Sequence, residues 1–188
     1  MKKKRCQWVT EDPLYIRYHD EEWGRPEYDD RVLYEFLLLE GFQAGLSWIT
    51  ILRKRENFRK AFDNFDYRKI ALYDDNKLEK LRQDKGIIRN RLKIKAAKTN
   101  AIAFMKVQKE FGSFSKYLWA FVNHKPIVNH WKSQSKVPAS TELSDKISKD
   151  LKKRGFTFVG STIIYAYLQS MGLVDDHEAE CCCRSEIG

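Results

Sequence analysis

The chain has 188 residues, of which 43% are hydrophobic and 13% aromatic, enough for a sizeable core and too apolar for global disorder. A net charge of +9 at pH 7, with a pI near 9.3, points to a polyanionic partner, nucleic acid before membrane, although a merely soluble basic protein has the same balance. No segment approaches the roughly 20 apolar residues of a membrane span, and KKKR followed by CQWVTEDP lacks the apolar run of a signal peptide, so a cytoplasmic protein is expected.

Taken in order, the pattern is helical. Apolar residues at helical spacing, or helix-forming composition, predict helices over 29–40, 46–62, 75–83, 91–110, 114–122, 143–154 and 160–171. Pro13, Pro26, Gly86, Gly112, Pro126, Pro138 and Gly155 fall between them. Ser113 and Thr141 have the chemistry and position of N-caps. The stretch 123–141 reads as one long loop, and no run alternates like a strand. Without repeats or a low-complexity linker, the expectation is an all-α chain forming a single compact domain over 1–188.

Glu40 is the most informative residue. In a helix over 29–40 it shares a face with Leu33, Phe36 and Leu37, the face that must be buried. A carboxylate there is costly to ionise unless a polar or cationic group meets it. Tyr15, Tyr18, Trp23 and Trp48 fall nearby in sequence, so the stretch suggests a pocket for a flat, electron-poor ligand.

Between the helices at 75–83 and 91–110 lies DKGIIRNRLKIKAAK, whose 85–98 portion carries Lys85, Arg89, Arg91, Lys93, Lys95 and Lys98 and no acid. Gly86 marks a turn where positive φ or close backbone approach is cheap. A helix N-terminus opening from such a turn favours an anion, and Arg89, Arg91, Lys93 and Lys95 would add charge-assisted contacts to a DNA backbone. The plain alternative is a solvated helix face. The imbalance of the run favours the DNA contact.

The cysteines are Cys6 and the run Cys181, Cys182 and Cys183, a poor disulfide framework that implies reduced thiols. Cys6 and His19 near one end, with His177 and Cys181 near the other, are enough for a tetrahedral zinc. Their long separation is unlike a zinc finger, and Cys182 and Cys183 leave the ligand choice open. Spacing alone favours ordinary side chains. His124 and His130, in or beside the polar loop, read as non-ligands.

Together these stretches resemble the bacterial 3-methyladenine DNA glycosylase I family. The likeness rests on C-x-W at 6–8, DPLYIRYHDEEWG at 12–24, LEGFQAGLSWITILRKRENFRKAF at 39–62, GIIRNR at 86–91, WAFVNHKP at 119–126, LKKRGFTFVGSTI at 151–163 and GLVDDHEAECCC at 172–183. It implies a helix–hairpin–helix fold, an alkylated-base substrate in double-stranded DNA, free 3-methyladenine as product, and a structural zinc joining the two ends. By position, Cys6, His19, His177 and Cys181 would be the zinc ligands. Glu40, Tyr15, Tyr18, Trp8 and Trp48 would form the base pocket, with Glu40 in the catalytic position. Leu46 would fill the gap left by a flipped nucleotide, with Gly86, Arg89, Arg91 and Lys93 on the DNA; for Leu46 and Trp48 the bland alternative is helix core. Leu92 stands where relatives often carry glycine, and Ala166 where some carry a hydroxyl residue. The KKK near the start and the terminal SEIG look incidental.

Glycosylases on this scaffold usually carry a catalytic aspartate after the hairpin, yet no Asp occurs between 85 and 144. No lysine stands out as a desolvated nucleophile. Monofunctional hydrolysis, without a Schiff base, is therefore expected of a monomeric enzyme. Methylation makes the base a cationic, good leaving group, so extruding and holding it matters more than activating water. Two other readings stay open: a non-catalytic helix–hairpin–helix DNA binder, against which Glu40 argues, and a glycosylase of broader alkylpurine range.

Overall fold

The computed structural model describes residues 3–184; Met1, Lys2 and the terminal SEIG at 185–188 lie outside the described residues. The described chain is mostly helical. It opens with α1 (Pro13–Glu21), which the spacing did not predict. Pro13 in the first turn and the Asp12 carboxylate, accepting from Leu14 N at 2.9 Å, start it.

Helix α2 (Asp30–Gln43) is the centre of the molecule. Asp29 caps it through Arg31 N and Val32 N, and every residue from Leu33 to Phe42 is buried, including Glu35 and Glu40. It runs one turn past the expected end, which puts Glu40 inside the helix. Around it lie α3 (Trp48–Ala61), the four-residue α4 (Tyr67–Ile70), α5 (Asp75–Gln83), α6 (Arg91–Phe111), α7 (Phe114–Ala120), α8 (Glu142–Lys153) and α9 (Ser161–Ser170). Asp63, Asn64 and Phe65, all at positive φ, make the bend between α3 and α4.

The expected caps are present. Ser113 accepts from Lys116 N, and Thr141 with Ser144 forms a reciprocal capping box. The loop 123–141 is not wholly irregular. Ile127–Val128 (β1) pairs in parallel with Val174–Asp175 (β2), and Gln134–Lys136 forms a 3-10 turn. Two residues per strand are too few for alternation to register in the sequence.

One continuous apolar core joins these helices. Buried hydroxyls tie it at defined points: Tyr34 donates to Ala97 O at 2.8 Å and Tyr167 to Leu33 O at 3.0 Å. Such bonds are expensive to leave unmade in a dry interior and fix how α6 and α9 seat on α2.

Candidate active site

Glu40 opens onto a cleft of about 280 Å³, near the lower end of ligand-sized pockets (about 300 Å³). The cleft is lined by Trp8, Tyr15, Tyr18, Trp23, Trp48 and Glu40, with Gln43, Gln134, Val137, Ala166, Gln169, Ser170 and Asp176. Several elements meet there, including α3, which supplies Trp48. Trp8 comes from the N-terminal segment and the tyrosines from α1. Glu40 and Gln43 come from α2, and Ala166, Gln169 and Ser170 from α9. All five residues expected to hold a base are thus brought together.

The carboxyl of Glu40 is 3% exposed. Ser170 Oγ donates to its Oε1 at 2.7 Å, and Tyr18 OH donates to Ser170 Oγ at 3.1 Å. Burial pushes the Glu40 carboxyl up to about 7, against the opposing Ser170 hydrogen bond. The same burial, with the Glu40 charge, raises the Tyr15 phenol. Glu40 is therefore poised to ionise near neutrality, and a cation in the cleft would favour the charged form.

The walls are aromatic. Tyr18 lies 5.5 Å from Trp48 and 6.3 Å, nearly parallel, from Phe36; Trp8 lies 5.0 Å from Tyr15 and 5.1 Å from Trp23. Among the described residues Trp48 Nε1 is buried without a hydrogen-bond partner, so an acceptor on a ligand would satisfy a costly vacancy. Trp48 is not plain core, since it lines the cleft.

On the α9 side the sequence pointed to Ala166 near the pocket but not to Gln169 or Ser170. Ser170 supplies a hydroxyl one turn from Ala166, whose carbonyl it also contacts at 2.9 Å. Asp176, 2% exposed, accepts from Asn129 Nδ2, Trp131 Nε1 and Gln169 Nε2 at 2.7 Å each, and from the Tyr165 hydroxyl. It thereby ties the 123–141 loop, which carries Gln134 and Val137, to the cleft.

Behind the cleft the two chain ends meet. The ligand atoms of Cys6, His19 and Cys181 lie within 4.8 Å of one another, all three residues buried. His177 is adjacent, its ring 5.1 Å from that of His19. Each histidine offers a carboxylate its Nδ1: His19 to Asp20 Oδ1 at 2.8 Å and His177 to Asp175 Oδ1 at 2.7 Å. That leaves both Nε2 atoms facing inward chemistry. His19 Nε2 is 3.4 Å from Cys181 Sγ, and His177 Nε2 is buried with no partner among the described residues. Cys6, His19 and Cys181, with the orphaned Nε2 of the neighbouring His177, have the donor chemistry of a tetrahedral zinc site. Gly24, at φ +75°, permits this, for a Cβ would stand 2.5 Å from His177 Cε1. His124 and His130 lie outside the cluster. Trp8 touches both regions, 5.3 Å from the His19 ring.

The basic turn is partly as expected. Arg89 and Arg91 are exposed, as is Leu92, at 66%. Gly86 is needed for close approach rather than positive φ, since a Cβ would stand 2.9 Å from Asp84 Oδ1 and 3.2 Å from Asn57 Cβ. Its N–H is taken by Asp84 Oδ1 at 2.7 Å, and its carbonyl by Lys54 and Asn57 of α3. Asn90 Oδ1 takes the amides of Leu92 and Lys93, so α6 is capped from within. Lys93 departs from the expected phosphate contact. It is buried, and its ammonium donates to Phe42 O at 3.0 Å and Ala44 O at 2.7 Å. Leu46 stands on the 44–47 loop, 40% exposed, and is not core.

Residues 8–185 match the family model described as methyladenine glycosylase. The chain is 52% identical to DNA-3-methyladenine glycosylase 1 of Escherichia coli over 96% of each chain, and 51% identical to DNA-3-methyladenine glycosylase of Haemophilus influenzae over 96% of this chain and 98% of that one. It superposes on a crystal structure of 3-methyladenine DNA glycosylase I with a TM-score of 0.94 at 50% identity, covering 97% of this chain and 100% of the other. A Staphylococcus aureus 3-methyladenine DNA glycosylase I, solved to explain 3-methyladenine recognition, gives 0.94 at 36% identity over 98% of each chain.

Proposed function

The chain belongs to the methyladenine glycosylase family, and from that premise we propose that it is a monofunctional DNA glycosylase excising 3-methyladenine from alkylated DNA, the opening step of base excision repair. The observation that carries this reading is Glu40, a buried acid near its ionisation point in an aromatic cleft. The cationic methylated base supplies the charge that such an acid lacks. Trp48 and a tyrosine stack on the ring, with a cation–π gain of about 1–2 kcal/mol. Glu40 accepts hydrogen bonds from the exocyclic amine and ring edge. The preference of the cleft for a cation over a neutral base follows from the carboxylate.

In the reaction the bond from base to anomeric carbon breaks, and its electron pair neutralises the leaving base. The water oxygen then bonds to the anomeric carbon and gives up a proton. Among the described residues no lysine lines the cleft to form a Schiff base, and the buried Lys93 turns its ammonium to the end of α2. The chain's own work is to extrude, stack and pair the base.

The remaining roles are proposed, several of them supported by placement. α5, the Gly86 turn and α6 act as the hairpin of a helix–hairpin–helix, with Arg89 and Arg91 on the phosphates of double-stranded DNA. Leu46, exposed on its loop, fills the stack vacated by the flipped nucleotide. Cys6, His19, His177 and Cys181 hold a structural zinc, which when bound clips the two ends together. Free thiols at Cys6 and at 181–183 suit a reducing cytoplasm, and no helix of the described residues is long and apolar enough to cross a membrane. The enzyme acts as a monomer. The test is release of base from methylated DNA, with products separated by chromatography. Free 3-methyladenine is expected, and intact strands before alkali treatment. Strand cleavage by the protein alone would contradict the monofunctional reading.

A further inference from the structure

Lys93 occupies an unfavourable place for a cation. It lies in the first turn of α6, where the helix dipole repels positive charge, and it is only 8% exposed. Burial lowers its ammonium pKa. Nothing about α6 itself rewards it. The reward lies across the interface, where the last carbonyls of α2 lack helical partners and attract a cation. Lys93 Nζ meets two of them, Phe42 O and Ala44 O.

Those carbonyls lie where α2 passes into the 44–47 loop. The rest of the loop is also held: Leu46 N donates to Gln43 O at 2.7 Å, Gln43 Nε2 to Leu46 O at 3.1 Å, and Gly45 takes φ +85°. Ser47 Oγ bonds Thr50 Oγ1 at 2.8 Å and joins the loop to α3. Leu46 is thus exposed on a loop held by these bonds, and its charged anchor, Lys93, stands in the first turn of α6, next to Arg89 and Arg91.

We propose that Lys93 is a positioning residue, whose buried ammonium locks the 44–47 loop to the hairpin and so aims Leu46 at the gap beside the Glu40 cleft. This rests on the wedge reading of Leu46. The arrangement makes one rigid link of the phosphate grip, the wedge and the base pocket, so hairpin docking sets the wedge in register. Lys93 touches neither phosphate nor base.

The test compares Lys93→Met, Leu46→Ala and the double variant in single-turnover excision from methylated duplex DNA, with affinity for free 3-methyladenine and the salt slope of duplex binding measured alongside. Lys93→Met should slow excision on the order of tenfold, as loss of a charge-assisted contact implies, and Leu46→Ala should slow it through loss of the apolar wedge. The double variant should be no slower than the slower single one, because a mispositioned wedge has nothing left to lose. Binding of 3-methyladenine and the salt slope should stay at wild-type values, and Lys93→Gln, which keeps a donor, should fall between. Additive losses, a slope flattened by about one unit, or lost 3-methyladenine binding in a folded Lys93→Gln protein would each overturn the proposal. If Leu46→Ala excises normally, the wedge reading itself fails; if only Lys93→Met does, the positioning role fails alone.

Discussion

Glu40 was legible from sequence as an acid on an apolar helix face, and its aromatic neighbours from the same stretch. Its hydroxyl partner was not, because Ser170 stands 130 positions away and only packing of α9 on α2 brings them together. Lys93 departs from its expected role for the opposite reason: a run of basic residues conceals a member that points inward. The signal was present, since Lys93 shares a helical face with Ala97 and Asn100, both buried. The Glu40 environment makes a pH prediction. The active form is the carboxylate, so kcat/KM should rise with pH through about 7. A bound cationic base favours ionisation, so kcat should inflect at a lower pH. Stability runs the other way. The folded pKa lies above the unfolded one, so the unfolded chain loses its proton first, and stability should fall as pH rises from about 4.5 to about 7. Thermal denaturation across that window, compared with Glu40→Gln, isolates this contribution. Ser170→Ala removes the donor that favours the carboxylate, so the rise of kcat/KM should move to higher pH, while duplex affinity stays unchanged.

Helices with caps and long apolar periods were readable: α5 matched its expected bounds, and α3, α6 and α8 came within a residue or two. α1 was missed because its segment is rich in charge and aromatic residues rather than in a clean apolar stripe. α4 was missed because four residues cannot show a period. The hairpin element invites a separation of roles. Charge reversal at Arg89 should weaken binding to all duplex sequences alike and flatten the salt slope by about one unit per lost phosphate contact, which filter binding across a salt series would show. An unchanged slope would make the basic turn a solvated face. Asn90→Ala should cost about 1 kcal/mol of stability, because it uncaps α6 at Leu92 and Lys93.

At the scale of the molecule, the two ends of the chain converge on one cluster, and Trp8 bridges that cluster and the cleft. A zinc held by Cys6, His19, His177 and Cys181 would fold with the protein, since the site does not exist in the unfolded chain. Elemental analysis should find about one zinc per chain. Cys6→Ala, or chelation, that removes even ~3 kcal/mol should lower Tm by about 6–12 °C. Absence of stoichiometric metal from protein purified without chelators would refute the site. The basic charge that first suggested nucleic acid is thus divided between an exposed turn carrying Arg89 and Arg91 and internal links such as Lys93. The account as a whole turns on the acid in the cleft, and its most direct test is excision of 3-methyladenine from methylated duplex DNA by Glu40→Gln. The substitution keeps shape and removes charge, so the variant should fold and bind undamaged duplex as the wild type does. Excision should drop by the equivalent of about 1.5–3 kcal/mol, roughly 10- to 150-fold. A folded Glu40→Gln protein that excises 3-methyladenine at the wild-type rate would contradict the account.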